Sequence, residues 1–218
     1  MVIIYNPNET NFIKERIEKA IEILNKLPFK HCFITGSFLY NKKYRDIDIF
    51  VITRSNKKVK LPKKYNLTKL DFNQTNSLFY HSITKSCISK NILIKKRIMT
   101  TMSEYWNIII ESVVDSMNEK KGGKLTRSLI LQTKYHNEDI ILDSEKLSIL
   151  SRKINTPSKL IKYVFLKVPK IFRKKCSNSY IKRYFYTYSA YIKKNLDYDS
   201  DKIFYKLSKV ILQNGESK

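Results

Sequence analysis

The chain has 218 residues, 42% of them hydrophobic, with 43 Lys and Arg against 19 Asp and Glu, a net charge of +24. That length and apolar content suffice for a real core in one domain or two small ones. A field of that sign favours polyanionic partners, nucleic acid first and an anionic membrane surface second, and argues against cationic small-molecule substrates. No apolar run approaches the ~20 residues of a membrane span and the N-terminus lacks a secretory pattern, so a cytoplasmic protein without a membrane partner is expected. Cys32, Cys87, Cys176, His31, His81 and His136 are scattered without metal-ligand spacing, which argues against a zinc site or a Cys–His nucleophile pair.

In chain order, Ile13, Ile17, Ala20, Ile21 and Leu24 form a helical stripe over residues 10–27, with Asn8 or Thr10 as its cap. Two strands, His31–Thr35 and Asp46–Ile52, follow. A basic loop containing Pro62 leads to a third strand, Leu67–Phe72. Residues 75–89 read as a short helix and Asn91–Ile94 as another strand. This α-β-β-β-α-β order suits a small mixed sheet with helices packed on it. From Met99 the pattern is helical throughout. Met102, Tyr105, Trp106, Ile109, Ile110, Val113, Val114 and Met117 make a stripe of 3.6-residue period that ends before Gly122-Gly123. Further helices are expected at about 124–136, 141–153, 157–174, 178–194 and 200–213, with Thr156-Pro157 and Val168-Pro169 as breaks or kinks. The expected fold class is α+β: a sheet-containing module over residues 1–98 and an all-helical one over 99–218.

The chemistry concentrates in the first module. Phe33-Ile34-Thr35-Gly36-Ser37 is a strand running into a tight turn, and eight residues later comes Asp46-Ile47-Asp48-Ile49-Phe50. Side chains alternate across a strand, so Asp46 and Asp48 share one face while Ile47 and Ile49 take the other. Two carboxylates on one face repel unless a cation lies between them. Gly36 lets the backbone approach a ligand closely, and Ser37 adds a hydroxyl beside exposed N–H groups, an arrangement that suits phosphate.

Gly-Ser, a short spacer, then Asp-hydrophobic-Asp-hydrophobic resembles the signature of the nucleotidyltransferase superfamily that includes DNA polymerase β, and its minimal members in particular. The resemblance covers roughly residues 10–98. It implies a third carboxylate on a later strand, for which Asp71 in Leu67-Thr68-Lys69-Leu70-Asp71-Phe72 is the candidate. It further implies that Asp46 and Asp48 hold two Mg²⁺ (or Mn²⁺) ions and that Asp71 binds one of them and helps activate the attacking hydroxyl. Gly36 and Ser37 would receive the triphosphate of an NTP. The minimal members often carry an Arg after the Ser. Here Phe38-Leu39 follow, so further phosphate contacts fall to Lys42, Lys43 or Arg45, with Lys124 and Arg127 after the Gly-Gly turn as additional candidates.

From Lys146 to Leu196 there is no acidic residue and fourteen are Lys or Arg. Tyr163, Tyr180, Tyr184, Tyr186, Tyr188 and Tyr191 lie among them. Cations for a phosphate backbone interleaved with rings for unpaired bases point to nucleic acid. Lys162, Arg173, Lys174, Lys175, Lys182, Arg183, Lys193 and Lys194 are the candidate contacts. Taken together, the residues favour an NTP-dependent nucleotidyltransferase that acts on RNA. By family analogy the acceptor is a tRNA 3′ end and the protein a toxin. Two other readings stand beside it: an antitoxin that attaches AMP to a partner RNase toxin, and an RNA-binding protein on an inactive catalytic scaffold.

Overall fold

The computed structural model describes residues 2–6, 11–55, 59–93, 98–117, 123–168, 177–191 and 200–212. The chain divides into two units, residues 1–99 with 141–146, and residues 100–140 with 147–218. Residues 141–146 therefore group with the first unit, although the sequence assigns everything after 98 to the helical half. Ser82 Oγ donates to the Leu142 carbonyl at 2.6 Å and Lys85 Nζ to the Ile141 carbonyl at 2.7 Å, and these bonds tie the segment down.

The first unit runs β1 (Ile3–Tyr5), α1 (Lys14–Lys26), β2 (Cys32–Thr35), α2 (Ser37–Tyr40), β3 (Ile47–Ile52), β4 (Tyr65–Leu70), a 3₁₀ turn (Phe72–Asn76), α3 (Leu78–Thr84) and β5 (Cys87–Ser89). The strands form one mixed sheet in the order β1-β5-β2-β3-β4. Among the described residues only the β3–β4 strand pair is parallel. Alternation divides the apolar residues of β3 between the two faces. Ile47, Ile49 and Val51 join Ala20, Leu24, Phe38 and Leu39 in one core. Phe50 and Ile52 join Phe33, Leu70, Tyr80 and Cys87 in the other. With both faces covered, β3 reads as a nearly continuous apolar run interrupted by Asp48 alone.

Two local expectations are corrected. The helix expected over 75–89 is a 3₁₀ turn followed by α3, which Ser77 caps by accepting the Tyr80 N–H at 3.2 Å. The strand expected at 91–94 lies earlier, at Cys87–Ser89. There Cys87 and Ile88 are fully buried, and the strand pairs with β1 on one side and β2 on the other. Asn91–Leu93 belong to no strand, and Ile94 lies outside the described residues, as do Asn8 and Thr10. Strand β1 carried too little sequence to be anticipated. Three residues cannot show a period, and β1 is defined by its partner.

The remaining helices are α4 (Met102–Ser116), α5 (Lys124–Glu138), α6 (Ser144–Lys153), α7 (Pro157–Lys167), α8 (Asn178–Tyr191) and α9 (Ser200–Leu212). The α4 stripe is the centre of the second unit's core. Tyr105, Ile109, Ile110, Val113 and Val114 are fully buried against Leu129, Leu160, Val164, Phe185 and Leu207. Thr101 and Glu104 close a capping box on α4. Thr156 caps α7 with Pro157 at its first position, so this Thr-Pro pair starts a helix and kinks none. Among the described residues no helix is long and apolar enough to cross a membrane.

Candidate functional site

The turn and the carboxylate strand meet at one end of the sheet. Register places Thr35 of β2 beside Asp48 of β3, and Asp48 beside Asn66 of β4. Asp48 lies on the face of Phe50 and Ile52, at the end of β3 where the apolar run stops, and it stays half-buried. Asp46, two residues earlier, lies just before β3, which begins at Ile47. Its side chain is 27% exposed.

Gly36 follows β2 directly and has φ +89°. A β-carbon at Gly36 would lie 3.2 Å from Asp48 Oδ2. Glycine is required twice here, for a backbone conformation that L side chains rarely adopt and for the close approach of the carboxylate. Ser37 comes next, half-buried at the start of the four-residue α2.

Each carboxylate has a neighbour. Asn66 Nδ2 donates to Asp48 Oδ1 at 3.0 Å. Arg45 donates to Asp46 Oδ2 through Nε at 3.1 Å and through a terminal nitrogen at 2.9 Å. Arg45 is 91% exposed, so this pair is weak and easily exchanged for another cation. As placed, Arg45 serves a carboxylate rather than a phosphate. Lys43 is exposed in the same loop.

Asp71 is not part of this cluster. Strand β4 ends at Leu70, which pairs with Ile52 at the far end of β3. Asp71 is five residues beyond Asn66, about 17 Å further along the strand direction. Its carboxylate caps the 3₁₀ turn by accepting the Asn73 N–H at 2.8 Å, while its own N–H donates to Gln74 Oε1 at 2.7 Å. The parallel pairing of β3 with β4 is the reason. It aligns the start of one strand with the start of the other, so a carboxylate after the end of β4 cannot reach a pair at the start of β3. The residue beside Asp48 is Asn66, an amide rather than a carboxylate. Only the β3–β4 register singles it out.

Among the described residues no group of three His, Cys, Asp or Glu side chains converges to hold a metal ion. Asp46 and Asp48 nonetheless offer hard oxygen donors two residues apart, with the Asn66 amide beside Asp48. That chemistry fits a single Mg²⁺- or Mn²⁺-type ion whose other ligands are water or phosphate oxygen. It falls short of the three-carboxylate set expected for two ions.

In the second unit, Lys124 is exposed at the start of α5, and Arg127 Nε donates to the Gly123 carbonyl at 3.0 Å. Lys162 on α7 and Lys182 and Arg183 on α8 are exposed. Arg173, Lys174, Lys175, Lys193 and Lys194 lie outside the described residues. The tyrosines are mostly structural. Tyr180, Tyr184 and Tyr188 stack along α8 at 5.9 and 6.4 Å between ring centroids. Tyr180 donates to Asn107 Oδ1 at 2.5 Å and Tyr184 to Glu111 Oε1, both on α4. Tyr186 donates to Asp201. Tyr184, which bonds α4, is half-buried, whereas Tyr180 (39% exposed) and Tyr191 (84% exposed) keep ring surface open to solvent.

No protein-family model, curated protein or solved structure matches this chain. Its fold is α+β, a five-stranded mixed sheet with helices.

Proposed function

We propose that the protein is a divalent-cation-dependent nucleotidyltransferase acting on RNA. The observation that carries this reading is the approach of the Asp48 carboxylate to Gly36. Two motifs separated in sequence, the Gly-Ser turn and the Asp-x-Asp strand, share one location. In this reading Asp46 and Asp48 hold the cation, displacing Arg45 from Asp46. Gly36 leaves room for phosphate oxygens, and Ser37 offers them a hydroxyl. An acceptor hydroxyl oxygen bonds to the α-phosphorus of the NTP as the bond to the β-phosphate bridging oxygen breaks, and pyrophosphate leaves. A cation bound there lowers the pKa of that hydroxyl and neutralises charge on the leaving group. Asn66 orients Asp48, and Asp71 has no catalytic part.

RNA is favoured as acceptor by the +24 charge and by the acid-free stretch that holds Lys162, Lys182 and Arg183. A tRNA 3′ end, and with it a toxin's role, is the specific acceptor proposed. The test incubates the chain with each α-labelled NTP, Mg²⁺ and total cellular RNA, beside Asp46→Ala/Asp48→Ala and Asp71→Ala. Label in discrete RNA bands from the wild type and Asp71→Ala, but not from the double variant, supports the reading. Label on protein alone would redirect it to AMP transfer onto a partner, and no label in any lane overturns it.

A further inference from the structure

Phe79, the second residue of α3, is 50% exposed, although Tyr80 and Ile83 of the same helix are buried in the core on the Asp48 face of the sheet. At 3.6 residues per turn Phe79 projects about 100° round the helix from Tyr80, so its ring lies on the flank of α3. It meets Phe50 edge to face at 6.2 Å between centroids. Phe50 stacks on Phe33 at 5.2 Å, and Phe33 meets Tyr80 edge to face at 6.0 Å. The exposed ring is thus the outer member of an aromatic row whose other members are buried.

A single exposed ring is ordinary on a protein surface, and what distinguishes this one is its surroundings. Phe50 is two residues from Asp48 in β3, on the same face and about 7 Å along the strand. Register sets Asn66 beside Asp48 and Thr68 beside Phe50. Asn66 is exposed and Thr68 half-buried, so this stretch of the β3–β4 face keeps access to solvent. The Asp48 carboxylate, two small polar side chains and an aromatic ring therefore follow one another on one face of the sheet. At its carboxylate end lies the Gly36 turn.

We propose that Phe79 is a stacking platform for the nucleobase of the donor NTP. The inference rests on the reading of Gly36, Asp46 and Asp48 as the phosphate and cation site. With the phosphates at that end, the ribose lies over Asn66 and Thr68, whose polar groups suit its hydroxyls, and the base reaches the Phe79 ring. A ring face attracts a flat base whatever hydrogen-bonding edge that base carries. The donor is the nucleotide held at both ends, by its phosphates and by its base. The acceptor brings only a hydroxyl to the α-phosphorus, and its own phosphates lie outside the Gly36 turn.

The test is calorimetric titration of the full chain in Mn²⁺ with α,β-methylene ATP, an analogue that cannot release pyrophosphate. Inorganic tripolyphosphate is the probe without a base. Phe79→Ala, Phe79→Leu, Phe79→Tyr and Asp48→Ala are compared with wild type, each checked by thermal unfolding. Phe79 is half exposed, so its variants should fold. Phe79→Ala and Phe79→Leu should bind the analogue about tenfold or more weakly and tripolyphosphate as wild type does, while Phe79→Tyr stays within about threefold. Wild-type affinity for the analogue in Phe79→Ala would overturn the proposal, and so would a parallel loss of tripolyphosphate. Full affinity in Phe79→Leu would show an apolar contact without stacking and would overturn it as well. Asp48→Ala should weaken both ligands. If it weakens them and Phe79→Ala does not, the platform alone fails. If wild type binds neither ligand, or Asp48→Ala binds both unchanged, the phosphate-site reading fails and takes the platform with it. A short single-stranded RNA with a free 3′ hydroxyl separates the two sources of base. Weaker RNA binding by Phe79→Ala, with analogue binding intact, would assign the ring to the acceptor and overturn the proposal.

Discussion

Asn66 donates its side-chain amide to Asp48 Oδ1 at 3.0 Å, across the parallel β3–β4 strand pair. The amide neutralises no charge, so the position beside Asp48 sets how many carboxylates a cation would meet. Asn66→Asp places a further carboxylate there. Without cation the variant should be less stable, because like charges face each other across neighbouring strands. With Mn²⁺ it should bind on the order of tenfold more tightly, since carboxylate count tunes such sites. Calorimetric titration of both proteins decides it, and equal Mn²⁺ affinities would mean that Asp48 takes no part in cation binding.

Gly36→Ala combines a positive φ of 89° with a contact of 3.2 Å to Asp48 Oδ2. Alanine strains the backbone and pushes the carboxylate aside, so a loss of about 1 kcal/mol or more is expected. Urea denaturation reads the stability. Loss of nucleotide transfer out of proportion to loss of folded protein would show that the displaced carboxylate matters to the chemistry.

Asp71→Ala separates geometry from motif. Removal of the cap that receives the Asn73 N–H should cost about 1 kcal/mol. Nucleotide transfer by the folded variant should stay within a few-fold of wild type, whereas Asp48→Ala should abolish it. Equal loss of activity in the two would show that Asp71 reaches the site after all.

Tyr184→Phe leaves the Glu111 carboxylate of α4 without its phenol donor. The partner is half-buried and can be partly rehydrated, so a destabilisation of about 1 kcal/mol is expected. RNA binding should be unchanged, because the ring faces α4. Weaker RNA binding at full stability would return the tyrosine ladder to the nucleic-acid surface.

The Tyr188 phenol has a pKa pushed up to about 12, first by burial and then by the charges of Glu111 and Asp115. The folded state holds the phenol proton more tightly than the unfolded chain, whose tyrosines titrate near about 10. Stability from this group is complete below about pH 10 and is lost as pH rises toward about 12. Tyr188→Phe should therefore lose less stability than wild type between those limits, as followed by urea unfolding at a series of pH values. Parallel curves for the two proteins would remove Tyr188 as the source.

Much of the architecture was legible in the residues themselves. Helix α4 declared itself because eight apolar positions keep a 3.6-residue period. The β2 and β3 strands did so because their apolar residues are bounded by turn chemistry. The approach of Gly36 to Asp48 was readable because only eight residues separate the two motifs, short enough for neighbouring antiparallel strands. Strand direction was not readable. A hydrophobic run looks the same whether it pairs parallel or antiparallel, and only the β3–β4 register moves Asp71 to the far end and brings Asn66 to Asp48. Nor could composition tell that Tyr180 bonds Asn107 and Tyr184 bonds Glu111, because an i, i+4, i+8 ladder fits a helix contact as well as an exposed stack. Arg16 and Lys64 were two basic residues among 43 until the fold brought each to 4.3 Å from the centroid of the Tyr44 ring. Local pattern determines which element forms and which face is apolar. Contacts between residues distant in the chain depend on strand pairing and helix packing, which only the assembled core selects.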